Sequence, residues 1–198
     1  MGTNRLEAFS DAVIAIIITI MVLELRAPHE PTFAALQPLT PVFLSYLLSF
    51  VYIGIYWSNH HHMFHVCGRV TGAVLWANLH FLFWLSLFPF VTGWMGENHF
   101  APGPTIAYGA VLLAAALAYY VLQQTIIRAQ GAGSVLRQAV GADWKGKLSP
   151  LVYVIGIGAT LIRPWLGQLA FLSVALIWLV PDRRIERALA AGSGQHRG

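Results

Sequence analysis

Charged residues are scarce in this sequence. Asp, Glu, Lys and Arg together make up only 10% of its 198 residues, and hydrophobic residues make up 57%. Soluble domains carry about 25% charged residues. The shortage excludes a soluble domain and predicts one multi-pass membrane domain with little mass outside the lipid bilayer.

Several kinds of chemistry are excluded by what is missing. The single cysteine, Cys67, excludes a disulfide within the chain. There is no serine paired with a histidine and an acid, no glycine-rich phosphate loop and no cysteine beside a base, so the sequence predicts no enzyme of these kinds. The Thr-Val-Gly-Tyr-Gly filter of ordinary potassium channels is absent too. The net charge of +4 does not indicate a nucleic-acid partner, because the basic residues are dispersed between hydrophobic segments.

What the chain does contain is a series of long apolar segments. Six are predicted to span the membrane, at residues 6–25, 41–64, 72–95, 105–127, 148–162 and 165–180. The last two are short for a span, so two full spans and a shorter hairpin both stay open at 148–180. We predict an all-α bundle of six transmembrane helices over residues 1–184, followed by a disordered cytoplasmic tail at 185–198.

The basic residues predict how these spans are oriented. With six spans, one side of the membrane receives only Arg26 and Arg163. The other side receives ten: Arg5, Arg69, Arg128, Arg137, Lys145, Lys147, Arg183, Arg184, Arg187 and Arg197. Because basic residues accumulate on the cytoplasmic side, both termini are predicted to lie in the cytoplasm, with the protein in the cell (inner) membrane.

The first apolar segment carries acids at its edges. Asp11 and Glu24 enclose residues 12–23, which contain no charge and extend only about 18 Å as a helix, so both acids lie near or inside the membrane boundaries. Acids at that depth are unfavourable unless they face protein or water. One stripe of this helix contains Ala12, Ile16, Thr19, Ile20 and Leu23. Ordinary core packing and the lining of a pore are both compatible with this stripe.

The start of the same segment carries a recognisable motif. Arg5-x-x-x-Phe9-Ser10-Asp11, at the start of a first membrane helix, resembles the signature of the transmembrane protein 175 family of potassium channels. Further matches follow in the family's order and spacing: Trp57-Ser-Asn-His60-His-His-Met-Phe64, Asn78-Leu79 and Phe88-Pro89-Phe90. They cover the first half of the chain, and beyond it only the hydropathy pattern matches.

The resemblance implies passive conduction of potassium through a homotetrameric pore lined by the first helix. The family's constricting bulky residue, five positions after the motif aspartate, falls on Ile16, followed along the pore by Thr19, Ile20 and Leu23. The motif residues are implied to anchor the pore helix, with supporting polar residues at Trp57, His60 and Asn78. No cofactor is implied. The implied partners are other copies of the chain, the lipid bilayer and monovalent cations, with potassium as the permeant ion.

Two other functions stay open. In an ion-coupled secondary transporter, Asp11 or Glu24 would titrate with each turnover. A histidine-dependent membrane metalloenzyme is suggested by His61 and His65, which share a helix face in a cluster of histidines. Such enzymes draw ligands from several helices and include carboxylates, and the sequence pairs no acid with any of these histidines, so we predict no metal site.

Overall fold

The computed structural model describes residues 2–141 and 143–179, and helix is the only regular secondary structure among them. The helices are α1 (Thr3–Leu23), α2 (Thr40–His65), α3 (Gly72–Ser86), α4 (Phe88–Glu97), α5 (Pro102–Gln130), α6 (Val135–Val140), α7 (Trp144–Ile162) and α8 (Pro164–Leu179), with 3₁₀ helices at Phe33–Leu39 and Gly131–Gly133. This confirms the predicted all-α class. The predicted tail at 185–198 lies outside the described residues.

The described helices reproduce the predicted pattern of spans. Five segments are long and apolar enough to cross a membrane: Thr3–Leu23, Phe33–His65, Gly72–Glu97, Pro102–Gln130 and Trp144–Ile162. The sixth, Pro164–Leu179, is apolar but has only 16 residues. Hydrogen bonding within each helix satisfies the backbone N–H and C=O groups that lipid cannot satisfy, so long apolar segments in a bilayer become helices.

The third predicted span, 72–95, is two helices with a break at Leu87. This residue caps the end of α3 and the start of α4. Pro89 occupies the first turn of α4, where its missing N–H leaves no helical hydrogen bond unmade. Hydropathy alone could not show the break, because the residues on both sides of it are equally apolar.

The last two helices form an antiparallel hairpin. Arg163 lies between them in an extended conformation (φ −150°), and Pro164 begins α8. At the far end of the pair, Trp178 Nε1 donates a hydrogen bond of 2.9 Å to Ser149 Oγ. Since α7 begins before the predicted residue 148, its 19 residues reach about 28 Å, which leaves only α8 shorter than a typical span.

Hydrogen bonds between distant segments define two ends of the bundle. At the first end, Thr3 Oγ1 donates to the carbonyl oxygen of Cys67 (3.2 Å), which places the start of α1 beside the α2–α3 loop. At the second end, Gln168 Nε2 lies 3.5 Å from the carbonyl oxygen of Phe100, which places the start of α8 beside the α4–α5 loop. Consecutive spans therefore run in opposite directions.

The basic residues are divided unequally between these ends. Residues 128–147 join the first end, because the Gln130 side chain donates a hydrogen bond to the carbonyl oxygen of Val66. Six basic residues of the described chain therefore lie at the first end: Arg5, Arg69, Arg128, Arg137, Lys145 and Lys147. Arg26 and Arg163 lie at the second. This is the asymmetry on which the predicted orientation depends.

Close packing among α5, α7 and α8 depends on small residues around Phe171. A Cβ atom at Gly109 would lie 2.5 Å from the ring of Phe171, and one at Gly156 would lie 2.8 Å from it. Tyr52 of α2 donates its hydroxyl to the carbonyl oxygen of Phe171 at 2.6 Å. These helices therefore form one core, whereas α1 packs against α2, α3 and α4.

Candidate functional site

The two faces of α1 have opposite surroundings. One face is buried against the neighbouring helices and consists of Leu6, Ser10, Ile14, Ile17 and Met21. The other face is exposed and includes Ala12, Ile16, Thr19, Ile20 and Leu23, with Ala15 and Val22 exposed beside them. The contrast is sharpest at adjacent isoleucines, since Ile16 is 56% exposed and Ile17 only 3%. All five residues of the predicted stripe therefore lie on the free surface of the subunit.

Thr19 is the one hydroxyl on this exposed face. Its Oγ1 donates a hydrogen bond of 2.8 Å to the carbonyl oxygen of Ile16, one turn earlier in the helix. This bond occupies the hydroxyl proton but leaves acceptor capacity on the oxygen. Thr19 is thus able to offer an oxygen to a cation or a water molecule beside the stripe.

The acids that flank the stripe lie in different surroundings. Asp11 is half-buried at the side of α1 that meets α2. Glu24 follows the end of α1, is exposed, and lines a shallow cleft with Trp94 and Glu97 at the second end of the bundle. Neither acid is enclosed in apolar surroundings, which agrees with the cost of burying an unpaired charge in a membrane.

A buried chain of side-chain hydrogen bonds fastens the other face of α1. Asn78 Nδ2 of α3 donates to Ser10 Oγ of α1 at 2.9 Å, and Asn78 Oδ1 lies 2.8 Å from His60 Nε2 of α2. Ser10 Oγ in turn donates to the carbonyl oxygen of Leu6 at 2.9 Å. Ser10, His60 and Asn78 are all fully buried, so this chain joins three helices inside the protein.

The hydrogen bonds determine which nitrogen of the His60 ring is protonated. The Asn78 amide nitrogen is used on Ser10, so its carbonyl oxygen faces the histidine and must receive a proton from Nε2. Nδ1 of His60 has no hydrogen-bond partner among the described residues. The ring is instead held by stacking on Phe64, with a centroid separation of 4.4 Å, and on Phe81 at 6.0 Å.

Two further contacts join α1 to α2 nearer the surface. Trp57 Nε1 donates to Asp11 Oδ1 at 3.1 Å, and His61 Nδ1 lies 2.8 Å from Glu7 Oε1. The rings of Trp57 and His61 stack at 6.4 Å. Sequence reasoning missed the second contact and wrongly left the histidines without an acid. Its signal was the i, i+4 spacing of Glu7 and Asp11, which matches that of Trp57 and His61.

The motif residues are therefore divided between the inside and the outside of the subunit. Ser10 is buried and meets Asn78, whereas Asp11 meets Trp57 and contacts neither His60 nor Asn78 through the hydrogen bonds found. Phe9 is 47% exposed. Arg5 is exposed and has no ion pair or side-chain hydrogen bond within residues 2–141 and 143–179.

The histidine cluster does not assemble a metal-ligand set in the described part of the chain. No group of three or more His, Cys, Asp or Glu side chains converges there. His61, His62 and His65 follow one another along the end of α2 and contact each other through their rings. His60 is separate, because it points into the hydrogen-bonded chain with Asn78.

Taken together, the fold and this site define a polytopic α-helical membrane protein in which one face of the first helix is fastened by buried polar contacts and the other is free. The family described as the endosomal/lysosomal potassium channel TMEM175 matches residues 5–89, which include all the motif and supporting residues. A potassium channel of Chryseobacterium sp. is 51% identical over 189 residues, covering 96% of this chain and 98% of that protein. The chain belongs to the TMEM175 family.

A solved structure and a more distant relative extend the comparison. The crystal structure of a lysosomal potassium-selective channel TMEM175 homologue from Chamaesiphon minutus matches with a TM-score of 0.77 and 26% identity, covering 91% of this chain and 97% of that one. A Danio rerio relative is named an endosomal/lysosomal proton channel and is 36% identical over 76 residues. The match includes 32% of this chain and 15% of that protein. The relatives thus agree on a channel, and their names differ in the ion.

Proposed function

We propose that this protein is a potassium channel, assembled from four copies around a pore that the exposed face of α1 lines. The observation that carries the proposal is the contrast between two faces of α1. The exposed face includes the predicted pore stripe, and the opposite face is fixed to α2 and α3 by side-chain hydrogen bonds. A helix fixed on one side presents the other in a defined orientation. The naming of relatives as potassium channels supports the choice of ion.

Within this pore, Ile16 is proposed as the principal constriction, with Ile20 and Leu23 as further apolar rings. Four branched side chains that converge on an axis form a ring that excludes water when it is narrow, and a dry ring blocks hydrated ions. Thr19 lies between these rings and offers an oxygen. Potassium ions are the permeant species and the mechanism needs no cofactor.

Geometry requires more than one copy of the chain. One first helix per chain cannot enclose a pore, and closed cyclic assembly is the usual solution for identical subunits. Four copies is the number that the family resemblance implies. Arg5 and Phe9 are exposed in the single subunit, so we place them at the contact with a neighbouring copy, while Ser10 and Asp11 anchor α1 within its own subunit.

Both termini are proposed to lie in the cytoplasm, with the protein in the cell membrane. Support comes from the six basic residues at the first end of the described bundle against two at the second. The start of α1 lies at the first end. The same orientation places the Glu24 end of the stripe on the opposite side of the membrane.

The proposal is tested by recording from purified protein in planar bilayers under separate potassium, sodium and proton gradients. We expect unitary currents whose reversal potential follows the potassium gradient. Currents that follow the proton gradient alone would contradict potassium as the ion while keeping a channel. Saturable flux without unitary currents would instead favour the transporter, in which Asp11 or Glu24 titrates.

A further inference from the structure

A second feature lies away from the proposed conduction face. It is a cavity among α2, α5, α7 and α8, near the first end of the bundle, and α1 contributes nothing to its lining. Six of its thirteen lining residues are aromatic: Tyr52, Tyr56, Tyr119, Tyr120, Tyr153 and Trp178. Aromatic ring faces carry partial negative charge, so a box of such rings attracts a cation.

Gln123 supplies a polar group without a partner inside this box. Its side chain lines the cavity, is only 5% exposed, and its carbonyl oxygen has no hydrogen-bond partner in the described chain. A buried acceptor left unpaired is unfavourable. Because the Gln123 side chain lines the cavity, a hydrogen-bond donor bound there would supply the missing partner.

A carboxylate lines the same cavity. Asp143 precedes α7, and its Oδ1 accepts a hydrogen bond of 3.1 Å from the backbone N–H of Gly146. The ammonium of Lys145 lies 5.8 Å from the centre of the Trp178 ring, so this ring already attracts a cation of the chain itself. Lys145 does not line the cavity. The lining therefore combines aromatic faces, a carboxylate and an unpaired amide.

The size of the cavity limits what it accepts. The cavity volume open to the centre of a water molecule is about 40 Å³. Since one water needs about 10–15 Å³ on this measure, the space corresponds to about three waters. That suits an ammonium group on a short carbon chain and is too small for a bulky cation. Asn59, beside His60 on α2, also lines the space.

We propose that this cavity binds a primary ammonium group. The ammonium would donate hydrogen bonds to Gln123 and Asp143 while the tyrosine and tryptophan rings surround its charge. Two sources carry this chemistry: the headgroup of an ethanolamine phospholipid, and a free short-chain amine. The site is independent of the proposed conduction, because none of its lining residues belongs to α1.

Binding is tested on the purified, full-length protein with both sources. Native mass spectrometry compares retention of phosphatidylethanolamine with that of phosphatidylglycerol, which lacks an ammonium. Calorimetry compares ethanolamine with ethylene glycol, its neutral analogue. Selective retention of the ethanolamine lipid alone would assign the site to a headgroup, and binding of free ethanolamine would assign it to a small amine. If neither ammonium compound is preferred over the counterpart that lacks an ammonium, the proposal is overturned.

Adjacent glutamines provide a matched pair of variants. Gln123→Leu should weaken ammonium binding by about tenfold or more. Gln124 does not line the cavity, so Gln124→Leu should leave binding unchanged. Asp143→Asn removes the charge but keeps a side chain that caps a helix equally well, and should also weaken binding. This variant carries the test if Gln123→Leu does not fold. Unchanged affinity in both Gln123→Leu and Asp143→Asn would show that the ammonium does not bind here.

Discussion

Asn78 and Ser10 are 68 positions apart in the chain, yet Asn78 Nδ2 donates a hydrogen bond of 2.9 Å to Ser10 Oγ. Both residues are fully buried, and the other end of the Asn78 amide is occupied by His60. One amide therefore links the first three membrane spans. Hydrogen bonds between membrane helices contribute about 0.6 kcal/mol on average and up to about 1.7 kcal/mol, and here two share one side chain.

Removing this amide should destabilise the subunit. Asn78→Leu leaves the His60 N–H without its acceptor inside the protein, which costs about 1–3 kcal/mol. Thermal unfolding of the purified protein should therefore shift to lower temperature. Asn98→Leu is the matched control, since Asn98 is exposed and its side chain bonds, within the described chain, only to the carbonyl oxygen of Trp94 in the preceding helix. Equal melting temperatures for the two variants would show that the buried chain does not stabilise α1.

Variants at Ile16 and Ile17 distinguish a pore-lining face of α1 from a face packed in the core. Ile16→Asn should raise conductance or open probability and weaken ion discrimination, because a polar side chain removes the dry ring. Ile17→Ala should instead lower the amount of folded protein, since loss of a buried aliphatic side chain costs about 2–5 kcal/mol. Single-channel recording and thermal unfolding are measured on both variants. The reverse pattern would place the pore on the other side of α1.

The contact between Trp57 and Asp11 is predicted to hold α1 in its conducting orientation. Trp57→Phe removes the indole N–H that reaches Asp11 and keeps an aromatic ring. If the hydrogen bond matters, Trp57→Phe and Asp11→Ala, each of which removes one partner, should alter conductance non-additively in a double-mutant cycle. His62→Ala serves as the comparison, because no hydrogen bond or ion pair joins His62 to α1 in the described chain. Additive effects of Trp57→Phe and Asp11→Ala would contradict the prediction.

Orientation is testable with single cysteines. Asn98→Cys, at the second end, should be labelled from outside intact cells by a membrane-impermeant maleimide, and Gly68→Cys, at the first end, should not. A cysteine at Gly96 would be unsuitable, because its Cβ would lie 2.7 Å from the Cα of Val42. Labelling of both variants from outside would contradict the proposed orientation.

The native cysteine needs a separate control in that experiment. Burial raises the pKa of the Cys67 thiol, so little of the reactive thiolate exists near neutral pH. Its Sγ also lies 3.6 Å from the carbonyl oxygen of Arg69. Cys67 should therefore react slowly with maleimide even in permeabilised cells, and faster as the pH is raised. A Cys67→Ser background removes the remaining signal.

Assembly is predicted to be a tetramer, and its size can be measured directly. Light scattering in mild detergent, corrected for bound detergent, should give four times the subunit mass. Because Phe9 is exposed in the single subunit, Phe9→Ala should reduce the tetramer without unfolding the subunit. Phe83→Ala, at an exposed position on α3, is the comparison. A monomer or dimer that still conducts would contradict the four-fold pore.

Much of this architecture was determined by the sequence. Lipid cannot satisfy backbone polar groups, so each apolar segment of sufficient length becomes a helix, and residue counts alone predicted the spans. That Ile16, Thr19 and Leu23 share one face was likewise predictable, because helical periodicity fixes which side chains lie together. Periodicity did not decide between core packing and an exposed face. Basic residues predicted the unequal ends.

The tertiary structure decided which polar groups meet. Ser10 and Asp11 are adjacent in one sequence motif, but only the rotation of α1 against α2 and α3 brings Ser10 to Asn78 and Asp11 to Trp57. The tertiary structure also distinguishes Gln123 from its chemically identical neighbour Gln124. Only Gln123 lines the cavity, which exists where four helices converge. Hydropathy records only how apolar a segment is. Hydrogen-bond pairing depends on the rotation and position of each helix to within a few ångströms. That rotation and position are set by packing against the other helices.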